Sequence, residues 1–243
     1  MSGQRRRPRR WLRWTVGVLA SLVVVVVGGT SIYVHLSTAP ALLTLPRDVA
    51  PGSSAPSGSA TIDGVWSAGA GSIVGWRAQQ VLIGQQSTLV GRTGRIWGSI
   101  KIAGGTVSQG SFSVDMAAVT SAESKSTQRS VFDVSADPTA TLALTSPIPL
   151  GSVPADGTVR RYASAGTLAL HGATHAVRFT VSAERVGTSV SLLADITFPF
   201  ADWDISVQGV PFLADIQSPA TIEVLLNLNQ GSGNVASLTG AVG

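Results

Sequence analysis

Residues 166–184, GTLALHGATHAVRFTVSAE, decide the class of fold. Before the central HG pair, Leu168 and Leu170 alternate with small or polar residues, and after it Val177 and Phe179 do the same. A period of two places every second side chain on one face, which is typical of a half-buried antiparallel strand. The segment therefore predicts two strands joined by a tight turn.

The same period recurs on both sides of this hairpin. It is found in residues 110–116 (GSFSVDM), 140–146 (ATLALTS), 194–200 (ADITFPF) and 221–228 (TIEVLLNL). Clusters of Gly, Pro, Ser and Asp separate these runs, and short strands with such spacing indicate an all-β sandwich or barrel. Residues 120–140 break the period, so we expect a short helical insertion or an ordered loop there.

The N-terminal sequence predicts a membrane-targeting segment. Six arginines fall within the first 13 residues, and residues 15–34 (TVGVLASLVVVVVGGTSIYV) carry no charge. Twenty helical residues cover about 30 Å, the thickness of the hydrocarbon core. Because basic residues favour the cytoplasmic side, we expect a cytoplasmic tail over 1–14, a single-pass anchor over 15–36 and an extracytoplasmic body. A cleaved signal peptide is the alternative, since small residues follow at 39–41.

The remaining chain divides by composition. Residues 37–60 are rich in Pro, Ser, Ala and Gly and predict a flexible linker. The barrel or sandwich is expected over 61–230, followed by a disordered tail over 231–243. After residue 13 the chain carries 11 basic and 13 acidic side chains (17 − 6 and 13 − 0). This balance gives no basic surface for nucleic acid. The absence of Cys excludes disulfides, thiolate metal sites and cysteine nucleophiles.

No catalytic motif is present in the sequence: it contains no G-x-S-x-G, H-E-x-x-H, P-loop or G-x-G-x-x-G. His171 and His175 could act with Asp202 or Asp204 in a hydrolase, but two histidines without a third ligand make a weak metal site. We interpret the histidines as turn or rim residues, and the two aspartates as the polar face of a strand end with Trp203 packed inward. The sequence therefore predicts no catalytic residues, no metal and no cofactor.

Three arginines, Arg77, Arg92 and Arg95, lie close together near the first strands. We expect them to face water. The alternative is that one of them contacts an anionic lipid headgroup.

Three blocks resemble a known family in both sequence and order. They are GSIVGWRAQQVLIG at 71–84, residues 110–147 with the DPTAT run, and GTLALHGATHAVRFTV at 166–181. Together they resemble the YceI-like proteins that bind lipids or polyisoprenoids, especially the membrane-anchored actinobacterial type. The resemblance implies a lipocalin-like antiparallel barrel of about eight strands around an apolar cavity, and an exported binding protein without enzymatic activity.

The alternating runs identify the side chains expected to line that cavity. They are Val74, Trp76, Phe112, Val114, Met116, Ala140, Leu142, Leu144, Leu168, Leu170, Phe179, Ala194, Ile196 and Phe198. Few of these are aromatic, and an eight-stranded barrel is just wide enough to hold one ligand when its side chains are small. We expect a membrane-tethered carrier of a long apolar chain, such as a polyisoprenoid, a quinone tail or a fatty acyl chain. The alternatives are an envelope interaction module with a filled core and, third, the hydrolase.

Overall fold

The computed structural model of the chain describes residues 39–46, 62–82, 84–121, 137–205 and 214–231. The predicted cytoplasmic tail, the predicted anchor, and all but the first residue of the predicted C-terminal tail lie outside these ranges. Most of the predicted helical insertion, residues 122–136, also lies outside them. Within the described ranges, no helix combines the length and the apolar composition that crossing a bilayer requires.

The described chain is built from antiparallel strands, as the period of two predicts. The thirteen strands are β1 Gly64–Ala68, β2 Ile73–Leu82, β3 Gln85–Thr93, β4 Ile96–Ala103, β5 Thr106–Asp115, β6 Thr120–Ser121, β7 Thr139–Leu144, β8 Ile148–Pro149, β9 Arg160–Leu170, β10 Ala173–Val186, β11 Ser189–Phe198, β12 Ala214–Ile216 and β13 Ala220–Gln230.

The sheet closes on itself. Its hydrogen-bonded path runs β1-β4-β5-β7-β9-β10-β11-β13, and β13 pairs with β1 to complete the circle. At the other end of the barrel β2 and β3 take the places of β1 and β4, because β13 pairs with β2 and β2 pairs with β3. The predicted all-β antiparallel barrel of eight strands is confirmed.

The change from β1 to β2 is a kink in one continuous wall strand. Residues 69–72 leave the ladder, and Ser72 replaces the missing backbone pairing: its hydroxyl donates to the Asn227 carbonyl and accepts from the Asn227 N–H at 3.0 Å. Gly69 N–H donates to the same carbonyl at 2.8 Å. The side chain thus satisfies backbone groups of β13 that a strand would otherwise pair.

The wall between β3 and β7 is completed by short elements. After β5 the chain makes a 3₁₀ turn over Met116–Ala118, in which the N–H groups of Ala117 and Ala118 donate to the Asp115 carboxylate. It then pairs with β3 as β6. The two ends of the predicted helical insertion are therefore strand, since β6 occupies residues 120–121 and β7 begins at residue 139.

One local prediction is wrong. Asp202 and Asp204 do not share a strand face, because Phe200–Trp203 form a 3₁₀ turn that ends at Asp204 in the left-handed region. Both aspartates are exposed, whereas Trp203 is buried as expected. The strand ends at Phe198 because Pro199 has no N–H to continue the ladder.

Candidate functional site

The lumen of the barrel holds two adjacent cavities. The first, here the entry chamber, has a cavity volume of about 110 Å³, and the second, the inner chamber, about 80 Å³. A cavity can hold a water molecule once it offers about 10–15 Å³ of such space. The described lumen is therefore not filled by its own side chains.

Exposure distinguishes the two chambers. The entry chamber reaches the surface, since Thr158 and Arg160 line it and are exposed. Every described residue that lines the inner chamber is buried or half-buried. Four residues border both cavities: Phe112, Leu142, Val224 and Leu226. These four side chains therefore lie at the boundary between the two chambers.

All fourteen residues predicted to line the cavity lie on the walls of the two chambers. Leu144, Phe179 and Ala194 line the entry chamber, and Phe112 and Leu142 border both. The others line the inner chamber: Val74, Trp76, Val114, Met116, Ala140, Leu168, Leu170, Ile196 and Phe198. Contact between these residues and a ligand remains a prediction.

Sequence reasoning missed most of the entry chamber. Ile100 and Ile102 of β4 and Val190 and Leu192 of β11 line it. The signal was present in IWGSIKIA and in SVSLLADITF, where the period of two continues. The polar residues at the opening gave no such signal, because only the register of β9 and β10 places them there.

Polar groups of the lumen are concentrated at the opening of the entry chamber. Arg185 is buried there, and its Nε donates to the Gly187 carbonyl at 2.9 Å. The Tyr162 hydroxyl donates to the Leu150 carbonyl at 3.1 Å, and burial raises its pKa. Burial likewise raises the pKa of the Glu184 carboxyl. This arrangement leaves the deeper lumen apolar and places polar contacts at its rim.

Aromatic side chains cluster around Phe198, which lines the inner chamber. The ring of Phe198 packs edge-on against Phe200 at 5.6 Å and against Trp203 at 5.9 Å between ring centres. His175 packs edge-on against Trp203 at 5.0 Å, and a ring nitrogen of His171 lies 3.1 Å from the Trp203 carbonyl oxygen. Both histidines therefore support this aromatic cluster.

The same histidines were the candidate catalytic residues. Within the described chain neither of them is hydrogen-bonded to Asp202 or Asp204, and no group of three His, Asp or Glu residues could hold a metal ion. The predicted hairpin around residues 171–172 is confirmed, and His171 adopts a positive φ in its turn.

A second polar site lies on the outer face of the same wall. Glu223 of β13 is only 1% exposed and binds two arginines: Arg77 Nε donates to its Oε1 at 2.7 Å, and Arg92 Nη2 donates to its Oε2 at 2.9 Å. The expectation that these two arginines face water is wrong, because they are 16% and 23% exposed and paired. Here these three residues are called the Glu223 cluster.

Gly75 makes the Glu223 cluster possible. In the sheet it stands between Arg92 of β3 and Glu223 of β13, as the residue paired with both. A Cβ on Gly75 would overlap the Gly91 carbonyl oxygen and lie 2.7 Å from Arg92 Cγ. Without a side chain at this position, Arg92 can reach across β2 to the carboxylate.

Part of the predicted linker lies against the Glu223 cluster. Arg77 Nη2 donates to the Pro40 carbonyl at 2.8 Å, and Arg92 Nη2 donates to the Ala41 carbonyl. In this segment Leu43 and Leu45 are half-buried, whereas Leu42 is 65% exposed. We call residues 39–46 the strap.

Among solved structures, one with a TM-score above 0.5 shares the fold, and two others are less similar. A polyisoprenoid binding domain from Saccharophagus degradans, implicated in plant cell wall breakdown, has a TM-score of 0.55 at 14% identity, over 69% of this chain and 98% of that chain. BcnA of Burkholderia cenocepacia has a TM-score of 0.48 at 16% identity, over 63% and 95% of the two chains. A YceI protein of Campylobacter jejuni has a TM-score of 0.41 at 12% identity, over 56% and 83%.

Comparison by sequence identifies a family. No curated protein matches this chain. The profile of the YceI-like domain matches residues 67–229, about two thirds of the sequence and nearly the whole barrel from β1 to β13. The chain belongs to the YceI-like domain family.

Proposed function

We propose that this protein binds one long apolar chain, such as a polyisoprenoid, a quinone tail or a fatty acyl chain, and holds it in the barrel without catalysing a reaction. The observation that carries the proposal is the two-chamber lumen, which is apolar at depth and polar at its opening. The solved domain from Saccharophagus degradans that shares the fold is described as polyisoprenoid-binding, which supports the same ligand class.

The energetics favour a long chain over a small ligand. Each buried CH₂ contributes about 0.8 kcal/mol, so one five-carbon isoprene unit offers about 4 kcal/mol before ordering costs. Moving a polar headgroup into the inner chamber is unfavourable, because an unpaired polar group in an apolar site costs about 2–7 kcal/mol. The chain would therefore fill the depth of the lumen, while its headgroup stays near Arg160 and Arg185 at the opening.

We further propose that residues 15–36 anchor the chain in the cell membrane, with the N-terminus cytoplasmic and the barrel outside. The sequence supports this, through the uncharged run and the arginines before it. An anchored barrel would meet lipids at the surface of the bilayer that supplies them.

The binding proposal is tested by filling the lumen. In the full chain, Ala194→Trp fills the entry chamber and Ala140→Trp fills the inner chamber, and both alanines face the lumen. Ala163→Trp is the matched control, because Ala163 is exposed on β9. Native mass spectrometry in non-ionic detergent, with organic extraction to identify the adduct, should find a lipid on the wild type and the control.

The two lumen variants should lose that lipid while unfolding at nearly the same temperature as the wild type. A filled core would give a different result: tryptophan would overpack it and cost about 1–3 kcal/mol. A wild type without any lipid adduct, or lumen variants that keep it, would contradict the proposal.

The length of the bound chain depends on passage between the chambers. Phe112 borders both chambers, and Phe112→Trp should narrow the passage and shift binding towards short chains that fit the entry chamber. Titration with saturated fatty acids of increasing length measures this. An unchanged length profile would show that the ligand does not reach the inner chamber.

A further inference from the structure

The strap is bound to the barrel by groups that the barrel itself holds rigidly. Its two acceptors are the backbone carbonyls of Pro40 and Ala41, and the donors are Arg77 and Arg92, each fixed by Glu223. A guanidinium held by a carboxylate is well placed to donate its remaining N–H groups in one direction. The Glu223 cluster is therefore a preformed receptor for this stretch of backbone.

The strap lies at a defined place on the wall. On β2, Trp76 lies between Gly75 and Arg77. The Trp76 side chain lines the inner chamber, whereas the Glu223 cluster lies on the outer face, beside Gly75 and Arg77. Val90, which is paired with Arg77, and Leu225 of β13 lie on the same outer face and are buried. The outer wall of β2, β3 and β13 thus has apolar side chains beside an ion cluster whose charges are partly compensated.

Strap docking changes the reach of the linker. If residues 37–60 were free along their whole length, they would span up to about 80 Å. With Pro40 bound to the wall, only three residues lie between it and the end of the predicted anchor at residue 36, and four chain steps reach about 14 Å. The bound strap would shorten the tether about sixfold.

We propose that the strap holds the outer wall of β2, β3 and β13 against the lipid surface, so that the barrel has a fixed orientation on the membrane. This inference rests on the proposed anchor at residues 15–36. Leu42 supports it, because this exposed leucine lies within the strap itself, where an apolar side chain can enter the headgroup region.

The test uses the full chain in vesicles of phosphatidylcholine and phosphatidylglycerol. Because the sequence has no Cys, one introduced Cys gives a single labelling site. Gln79→Cys is exposed on β2, two residues from Arg77, and Ala163→Cys is exposed on β9, four strands away around the barrel. Energy transfer to acceptors on the lipid headgroups should be at least twofold higher from residue 79 than from residue 163.

Release of the strap should remove this difference. The double variant Leu43→Ser with Leu45→Ser removes the two half-buried side chains, while Thr44→Ser changes an exposed polar side chain of the strap and serves as the matched control. We expect equal transfer from the two positions in the double variant, together with faster amide exchange over residues 39–46. The control should keep slow exchange in this segment and retain unequal transfer.

The outcomes separate the orientation from the anchor. A chain that does not float with the vesicles contradicts the anchor and with it this orientation. A chain that floats but gives equal transfer from residues 79 and 163, or a double variant that behaves like the wild type, contradicts the orientation alone.

Discussion

The strands β2 and β13 carry apolar side chains on the face towards the lumen and charged side chains on the outer face. Towards the lumen, Trp76 and Val224 border space that no side chain fills. On the outer face, Arg77 and Glu223 form an ion pair that is largely buried, although it is on the outside of the barrel. The comparison shows that burial alone does not make a surface apolar, because a charge is tolerated where partners and a covering segment satisfy it.

The largest effect in this comparison is expected from Glu223→Gln. Removing one partner of a buried ion pair costs about 3–5 kcal/mol, and partial exposure of both arginines lowers our expectation to about 2–4 kcal/mol. Urea unfolding of the purified full chain measures this. A loss below 0.5 kcal/mol, on the order of an ordinary surface substitution, would show that the cluster does not stabilise the outer wall.

Gly75→Ala should be the next most harmful change. The new Cβ would overlap the Gly91 carbonyl oxygen and press on Arg92, and overpacking of this kind costs about 1–3 kcal/mol. Gly94→Ala, directly after β3, is the control, since a Cβ there meets only the Ser72 carbonyl oxygen at 3.5 Å, an ordinary van der Waals contact. If both variants had the same stability, the close approach at Gly75 would be irrelevant.

Val224→Ala tests the lumen side of β13. In a packed core the cost of such a truncation includes a new cavity, but Val224 already borders both chambers. We expect a loss of about 1 kcal/mol, mainly from the transfer of two methyl groups. A loss above about 3 kcal/mol would indicate a closely packed lumen and would weaken the contrast between the two faces.

The smallest effect is expected from Asp195→Asn. Asp195 is paired with Glu223 across β11 and β13, and burial, with the neighbouring Glu223 charge, raises its pKa against the opposing effect of Arg77. A carboxyl whose pKa is higher in the folded state favours folding below its unfolded pKa and loses that contribution as the pH rises through the folded pKa. At pH 7 the variant should therefore be slightly more stable than the wild type, by less than about 0.5 kcal/mol.

The pH dependence of the stability of the same variant tests the direction of the Asp195 pKa shift. The stability difference between Asp195→Asn and the wild type should shrink as the pH falls below about 4, where the wild-type carboxyl is protonated in both states. Thermal unfolding at a series of pH values measures it. A wild type that is the more stable protein at pH 7 would contradict the expected effect of Asp195.

The inner face of the barrel could be predicted from sequence because one local rule generates it. Phe112 and Leu142, for example, belong to separate runs of period two, and each run alone shows which residues face inward. The outer face follows no such rule. The alternation correctly places Glu223 opposite Ile222, but its burial depends on Arg92, which is distant in sequence, and on the strap.

The difference between a local sequence pattern and long-range contacts also explains the other wrong or missed predictions. The prediction that Asp202 and Asp204 are strand residues was wrong because the chain forms a 3₁₀ turn here, which ends at Asp204 in the left-handed conformation. An aspartate does not require that conformation, so the sequence gives no signal for the turn. The rim of the entry chamber was missed because Arg160 and Arg185 come together only through the pairing of β9 with β10. Long-range register and covering segments are therefore the parts of this site that the sequence alone does not determine.

The pairing of β13 has a consequence for how the molecule is made. This strand, at residues 220–230, is hydrogen-bonded to β1, β2 and β11 at once. Before residues 220–230 have left the ribosome, the rest of the barrel can form only an open sheet with two unpaired edge strands. Unpaired edge strands can form hydrogen bonds with other molecules and cause aggregation. The nascent chain must therefore be kept from aggregating until β13 is released, and truncation before residue 220 should yield insoluble protein.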